Sequence, residues 1–173
     1  VQRLLHKAAV AGCRYAVLEV TSQGIVQFRH RGIPFSGAVM TNIAPEHIES
    51  HGGFEPYLRA KLDLFWRLPK DGAAVINCDD SYSARFSAAT PAHKIFYGKD
   101  AIIIGAKQWK ISDVIIGSNG ITFSVAGTPM HSLLLGMFNF YNILAAVAVG
   151  LGEGIALERI AGAVARVTGV PGR

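Results

Sequence analysis

The sequence predicts an α/β fold, in which a mostly parallel sheet is flanked by helices and extended by a small antiparallel appendage. Half of the 173 residues are hydrophobic and 17% are charged, which suits one domain with a substantial core. In the first half, short runs that are apolar on both faces alternate with helical patterns, as in a parallel sheet covered on both sides. In the second half, short strand patterns follow one another with turns between them, which indicates antiparallel pairing.

The elements follow in order along the chain. The first half has predicted helices at residues 2–11, 54–68 and 80–88 and predicted strands at 15–20, 37–41 and 73–78. Short strands are then predicted at 94–97, 102–106, 109–116, 121–126 and 131–135. The residues from Gly117 to Gly120 predict a hairpin turn. Helices at 138–151 and 157–167 close the chain.

The charged residues and cysteines exclude some classes of function. Seventeen basic and twelve acidic residues give a net charge of +5, but the basic residues are scattered. No basic run interleaves with aromatic residues, so nucleic acid is not an expected partner. Two separate cysteines, Cys13 and Cys78, fit a reducing compartment, and we expect a cytoplasmic protein.

One apolar stretch raises the question of a membrane span. Residues 114–152 contain no Asp, Glu, Lys or Arg, and residues 133–151 are strongly apolar. A span needs about 20 continuous apolar residues. Gly136 divides the stretch, and Asn139, Tyr141 and Asn142 interrupt its helical part. We therefore expect a strand followed by a buried helix, with no membrane span.

Polar residues follow three of the predicted parallel strands at their carboxyl ends. They are Glu19 with Thr21 and Ser22, Thr41 with Asn42, and Asn77 with Asp79 and Asp80. Asn and Asp also begin turns and cap helices, which is a sufficient explanation for Asp79 or Asp80 alone. Ligands of open parallel sheets bind beyond the carboxyl ends of the strands, so three coincident polar ends favour a binding site.

Glu19 and two histidines are candidate metal ligands. A carboxylate at the end of an apolar strand has to be paired, hydrogen-bonded or bound to metal, and a nearby arginine would satisfy it as well. His47 and His51 are four residues apart and could share a helix face as ligands, although Pro45 and Gly52 argue against a long helix there. A metal-dependent hydrolase built on Glu19, His47 and His51 is therefore one open hypothesis.

Lys61 lies in the middle of the apolar stripe of the helix predicted at 54–68. The stripe repeats at helical spacing and consists of Phe54, Tyr57, Leu58, Leu62, Phe65 and Leu68. An ammonium group there is costly unless it reaches solvent, pairs with a charge or is chemically modified. Extension to solvent is the ordinary explanation, and a reactive lysine in a site is the functional one.

Asn139 and Asn142 are three residues apart on one face of an apolar helix. They could bridge within the core, or they could fix the hydrogen-bonding edge of a flat heterocycle together with Asn77. A non-catalytic nucleotide-binding module is therefore a further alternative.

Six motifs occur in an order that resembles the central domain of the Mur ligases, and within that family the MurE-type UDP-N-acetylmuramoyl-peptide ligases. They are residues 19–24 with Gln27 and Arg29, Thr41-Asn42 with Glu46-His47 and His51-Gly52, Tyr57-x-x-Ala60-Lys61, Asn77-Cys78-Asp79-Asp80, Gly136-x-Phe138-Asn139-x-x-Asn142, and residues 169–173 ending in Arg173. Folylpolyglutamate and cyanophycin synthetases share the ATP-side motifs, whereas residues 22–29 favour the MurE type.

The resemblance implies a ligase of peptidoglycan precursor synthesis that uses ATP and Mg²⁺. It would join an amino acid to the carboxylate of a UDP-N-acetylmuramoyl peptide through an acyl phosphate, a chemistry that depends on positioning and cations. The resemblance assigns Glu19, His47 and a carbamoylated Lys61 to magnesium, with His47 and Lys61 as catalytic residues. It assigns Thr21, Ser22, Gln27 and Arg29 to the UDP-linked substrate, and Asn77, Asn139, Asn142 and Arg173 to ATP.

The chain also departs from the family pattern. The family usually has Ser, His and Asp where this chain has Thr21, Gln23 and Glu46. The phosphate-binding loop Gly-x-x-x-x-Gly-Lys-Ser/Thr does not occur, and in the family it lies upstream of the position of Val1. The domain that selects the amino acid would begin just after Arg173. We therefore expect residues 1–173 to be a single central domain of a longer ligase, inactive alone, with the added amino acid undetermined.

Overall fold

A seven-stranded sheet runs through the protein in the computed structural model, which describes residues 1–45 and 48–169. The strands lie in sequence order: β1 (Gly37–Met40), β2 (Ala73–Asn77), β3 (His93–Tyr97), β4 (Ala101–Ile104), β5 (Lys107–Gly117), β6 (Gly120–Val125) and β7 (Thr128–Ser132). Strands β1, β2 and β3 pair in parallel, and β3 to β7 pair antiparallel. The predicted α/β fold with an antiparallel appendage is confirmed, and the appendage continues the same sheet.

Strand β3 marks the change from parallel to antiparallel pairing. The sequence pattern grouped it with the antiparallel runs, but it pairs in parallel with β2 and antiparallel with β4. The predicted hairpin turn is confirmed, because Gly117 of β5 pairs with Gly120 of β6.

Six α-helices and one short 3₁₀ helix are found in the described residues. They are α1 (Gln2–Val10), α2 (Ser22–Val26), the 3₁₀ helix Ile48–His51, α3 (Phe54–Trp66), α4 (Ser83–Ala88), α5 (Gly136–Gly152) and α6 (Leu157–Val164). Helix α4 begins later than predicted, because Asp80 forms a turn before it by accepting from the backbone N–H of Tyr82 at 2.8 Å. Among the helices described, none has the length and apolar character needed to cross a membrane.

Strand β2 is buried on both faces, and each face belongs to a different core. Ala74 and Ile76 lie in the core that contains Leu58 of α3. Val75, between them, lies in the core that contains Leu144 of α5. Because neighbouring side chains of a strand point to opposite faces, β2 lies between the two cores and contributes side chains to both. The expectation of a sheet covered on both sides is confirmed.

The strand predicted at residues 15–20 is wrong, because the structure gives this segment no helix or strand. Tyr15 is 67% exposed and Val17 is 97% exposed. Within the part of the chain that the structure describes, β1 pairs with β2 alone and forms an edge of the sheet. An apolar run forms a strand only when a neighbour satisfies its backbone N–H and C=O groups, and hydrophobic pattern alone does not supply that neighbour.

Replacing Leu58 by alanine should destabilise the protein strongly. Leu58 is completely buried between α3 and the sheet, so truncation removes contacts and leaves a cavity. We expect the free energy of unfolding to fall by about 2–5 kcal/mol in urea denaturation. Leu4→Ala is the control, because Leu4 on α1 is 69% exposed and its loss should change stability by about 0.5 kcal/mol or less. Equal effects of the two substitutions would contradict the described packing.

Candidate functional site

The carboxyl ends of β1 and β2 are joined by the side chain of Asn77. Its amide nitrogen donates to the carbonyl oxygen of Thr41 at 2.8 Å, and its amide oxygen accepts from the backbone N–H of Asp79 at 3.1 Å. The side chain of Asp80 adds a second link, because it accepts from the backbone N–H of Ile43 at 2.8 Å. Two of the three predicted polar ends therefore meet at one edge of the sheet, where open α/β sheets bind ligands.

A chain of side-chain contacts connects Lys61 of α3 to Ser22 of α2. The ammonium nitrogen of Lys61, which is half-buried, lies 5.2 Å from the ring centroid of Tyr57. The rings of Tyr57 and His51 pack edge to face with centroids 5.6 Å apart, and His51 Nε2 lies 3.0 Å from Ser22 Oγ. Ser22 and Tyr57 are buried, so these groups have little freedom to separate. The predicted position of Lys61 within the apolar stripe is confirmed, because the lysine lies among buried apolar residues of α3.

A cavity of about 200 Å³ brings together three of the predicted site residues, namely Glu19, Thr21 and Arg29. Thr21 is also the N-cap of α2, because its hydroxyl oxygen accepts from the backbone N–H of Gly24 at 3.0 Å. Glu19 and Arg29 are exposed, so their charged groups are accessible. Gln27 is exposed at the C-cap of the same helix and is not part of the cavity lining.

A buried histidine joins the segment of Arg29 to helix α3. His30 is 5% exposed, and its Nε2 lies 3.4 Å from the carboxylate of Asp63. Arg67 donates to both carboxylate oxygens of Asp63 at 2.7 and 2.9 Å, which lowers the pKa of that carboxyl group. Sequence analysis missed this contact. The spacing of Asp63 and Arg67 predicts their ion pair, but no local pattern indicates that His30 lies against them.

Asn139 and Asn142 lie on the accessible side of α5, near its amino end. The side chain of Asn139 donates to the carbonyl oxygen of Leu135 at 2.9 Å and accepts from the side chain of Asn142 at 3.4 Å. Asn142 is exposed and Asn139 is half-buried. Bridging within the core is therefore not their role, and both amides have hydrogen-bonding capacity left for a ligand.

Tyr141, between these two asparagines, connects α5 to the end of β2. Its hydroxyl donates to the carboxylate of Asp79 at 2.8 Å. Burial, and to a smaller extent the hydrogen bond to Asp79, raises the pKa of Tyr141 to about 12. The sequence offered a cap as the explanation for either aspartate. Asp80 does form the turn before α4, in addition to its contact with Ile43, whereas Asp79 makes this contact with Tyr141, which no local pattern indicates.

Of the three residues that the resemblance assigns to magnesium, Glu19 and Lys61 lie within the described residues. His47 and Arg173 lie outside the described residues, and within 1–45 and 48–169 no three His, Cys, Asp or Glu side chains form a metal-binding group. Mg²⁺ commonly uses one or two carboxylates together with substrate phosphates. Glu19 fits such a set. Lys61 fits it only as a carbamate, because an ammonium group has no lone pair to offer.

Comparisons with known proteins agree on one family. A model of the Mur ligase middle domain matches residues 1–150. The UDP-N-acetylmuramoyl-L-alanyl-D-glutamate–2,6-diaminopimelate ligase of Geobacter sulfurreducens is 41% identical over 170 residues, covering 94% of this chain and 33% of the relative. The protein of that name from Synechococcus elongatus is 35% identical over 176 residues, covering 99% of this chain and 35% of the relative. The chain therefore spans only 33–35% of the length of these relatives.

Solved structures show the same relationship. A UDP-N-acetylmuramoyl-L-alanyl-D-glutamate–2,6-diaminopimelate ligase superposes with a TM-score of 0.83 at 30% identity, covering 99% of this chain and 36% of that one. MurF from Acinetobacter baumannii, at 22% identity and a TM-score of 0.70, shares the fold over 82% of this chain and 31% of its own. The family model, the relatives and the fold agree, and the chain belongs to the Mur ligase family, of which it carries the middle domain.

Proposed function

We propose that this chain is the middle domain of an ATP-dependent ligase that adds an amino acid to a UDP-N-acetylmuramoyl peptide. The observation that carries the proposal is the contact chain from Ser22 through His51 and Tyr57 to Lys61. It links a residue that the family resemblance gives to the UDP-linked substrate with one that it gives to magnesium. The names of the relatives make 2,6-diaminopimelate the first amino acid to test.

The reaction has two steps. A carboxylate oxygen of the muramoyl peptide attacks the γ-phosphorus of ATP, the bond to the bridging oxygen breaks, and ADP leaves. The amine of the incoming amino acid then attacks the acyl carbon, loses a proton and expels inorganic phosphate. Both steps depend on holding reactants in line and on offsetting negative charge, which fits a site made of fixed polar groups and a cation.

The residues on the α3 side would hold the carboxylate and the metal. Glu19, His47 and a carbamoylated Lys61 would bind Mg²⁺, which when bound supplies positive charge to the transferring phosphoryl group. Carbamoylation replaces the Lys61 ammonium by an anion that can face the cation. Thr21, Ser22, Gln27 and Arg29 would bind the UDP-linked substrate. The guanidinium of Arg29 suits a phosphate or carboxylate, because it offers paired donors.

The residues on the α5 side would hold the nucleotide. Asn77, Asn139 and Asn142 would present amide groups to the adenine, and Arg173 would lie near the phosphates. Asn77 has one amide hydrogen engaged by Thr41, and the exposed Asn142 retains an amide oxygen for a donor on the ligand. In this proposal the nucleotide and the acceptor substrate would bind on opposite sides of the end of β2.

We further propose that residues 1–173 work within a longer protein. The relatives are about three times as long, since the chain covers 33–35% of their length. A phosphate-binding loop and a domain for the amino acid would come from the remainder. Activity is therefore to be measured on the full-length protein that contains this chain, and residues 1–173 alone should release no ADP.

Lys61→Ala should abolish ligation. We expect kcat to fall by about 100-fold or more, because a charge that acts on the transferring phosphoryl group is lost. Lys61→Arg should not restore activity, since a guanidinium does not form the carbamate. The assay is ADP release that depends on UDP-N-acetylmuramoyl dipeptide, ATP, Mg²⁺ and 2,6-diaminopimelate.

Arg59→Ala is the matched control, because Arg59 is an exposed cation on the same helix. It should retain ligation. Labelled bicarbonate gives a second readout, since a carbamate signal in the carbon NMR spectrum should be present in the wild type and absent in Lys61→Ala. Normal ligation by Lys61→Ala or Lys61→Arg would overturn the assignment of Lys61.

Arg29→Ala and Asn142→Ala should separate the two substrates. Arg29→Ala should raise KM for the UDP-linked peptide by about tenfold, because a charge-assisted hydrogen bond to that substrate is lost. Its KM for ATP should stay within about twofold, because Arg29 is not among the residues proposed to bind ATP. Asn142→Ala should show the reverse pattern. Steady-state kinetics with each substrate varied in turn would measure this, and a rise of both KM values in both variants would refute the two-sided site.

A further inference from the structure

Asp79 connects three segments of the protein at the end of β2. One oxygen of its carboxylate accepts from the backbone N–H of Lys99 at 2.7 Å and from the hydroxyl of Tyr141 at 2.8 Å. Its own backbone N–H donates to the side chain of Asn77 at 3.1 Å. Asp79 thus joins β2, the turn after β3 and helix α5. Asp79 is hydrogen-bonded to Asn77, one of the three residues proposed to bind the nucleotide. It is also hydrogen-bonded to α5, which carries the other two, Asn139 and Asn142.

The turn after β3 passes so close to Asp79 that it leaves no room for a side chain. A Cβ added to Gly98 would lie 2.7 Å from Cys78 Sγ and 2.8 Å from a carboxylate oxygen of Asp79. Glycine is required here for the close approach of the chain. Gly98 therefore approaches the carboxylate oxygen of Asp79 that does not bond to Tyr141.

Tyr141 is half-buried and packs against the edge of the core that contains α5. Its ring packs against that of Phe140, with centroids 5.9 Å apart, and Phe140 is 1% exposed in the core. The hydroxyl donates to the Asp79 carboxylate at 2.8 Å, and a tyrosine hydroxyl is protonated at neutral pH even at its ordinary pKa. Tyr141 lies between Asn139 and Asn142 in α5. Holding its hydroxyl limits the rotation of this part of the helix about its axis and its movement along the sheet, and therefore limits the displacement of both amides.

We propose that Tyr141 and Asp79 are a positioning pair, which fixes Asn139 and Asn142 relative to Asn77 and thereby sets the affinity and base preference of the nucleotide site. The proposal rests on the proposed function, because that function assigns the three amides to ATP. Amide groups distinguish bases through hydrogen bonds to the base edge, and such recognition depends on their relative placement. Neither residue of the pair needs to touch the nucleotide.

Tyr141→Phe in the full-length protein is the direct test. We expect KM for ATP to rise about tenfold, the effect of losing one hydrogen bond to a charged group. The kcat at saturating ATP and the KM for the UDP-linked peptide should each stay within about twofold, since the Lys61 side is unchanged. The preference for ATP over GTP should fall. A purely structural role would lower stability without changing this ratio.

Two further sets of variants make the test specific. Tyr97→Phe also removes a tyrosine hydroxyl, which donates to the carbonyl oxygen of Met40 at 3.1 Å, and it should lower the melting temperature while KM for ATP is unchanged. Asp79→Asn keeps an acceptor oxygen and should have a smaller effect on KM than Asp79→Ala. The double variant Tyr141→Phe with Asp79→Ala should be no worse than Asp79→Ala alone, because the two residues act through one contact.

Calorimetric titration of ADP into the same proteins separates this proposal from the proposed ligase activity. If the wild type ligates and Tyr141→Phe binds ADP as the wild type does, the positioning pair is overturned and the ligase function stands. If the wild type binds ADP without ligating, the ligase function fails, and a weaker affinity of Tyr141→Phe for ADP still supports the pair. Absence of adenine-nucleotide binding by the wild type would overturn both.

Discussion

The burial of β2 on both faces is the constraint on which the rest of the molecule depends. Ala74 and Ile76 face the core of α3, and Val75 faces the core of α5. The two helices that carry the candidate site residues therefore pack on opposite sides of one strand. Asn77, the last residue of that strand, is held by Thr41 at its side chain. Both halves of the site are positioned against this common reference, as expected for functional groups mounted on rigid elements.

The two halves of the site stabilise polar groups in different ways. On the α3 side, Lys61 lies half-buried beside Tyr57, and modification to a carbamate would convert its ammonium group into a metal ligand. On the α5 side, the carboxylate of Asp79 accepts hydrogen bonds from the backbone N–H of Lys99 and from the hydroxyl of Tyr141. Under the proposed function, one side would act through charge and the other through hydrogen-bond geometry. This division suits a reaction in which phosphoryl charge develops at one end of a nucleotide whose base is held at the other.

The sequence predicted those features that a local pattern determines. The stripe around Lys61, the alternation of helices and strands, and the pair of Asn139 and Asn142 all follow from periodicity. The segment at 15–20 shows the limit, because its apolar pattern is that of a strand, but a strand also needs a neighbour. The contacts of His30 with Asp63 and of Asp79 with Tyr141 join residues that are far apart in the chain, and no local spacing indicates them. His47 and Arg173 stay predictions.

Transfer of a carboxylate oxygen to phosphate tests the central claim most directly, because a ligase that forms an acyl phosphate leaves this mark and a hydrolase does not. The UDP-N-acetylmuramoyl dipeptide would carry isotopically labelled oxygen in its terminal carboxylate, and the full-length protein would be supplied with ATP, Mg²⁺ and 2,6-diaminopimelate. Mass spectrometry of the released phosphate should find one labelled oxygen for each amide bond formed. Phosphate without label, released at the rate of ADP formation, would show attack by water and would contradict the ligase assignment.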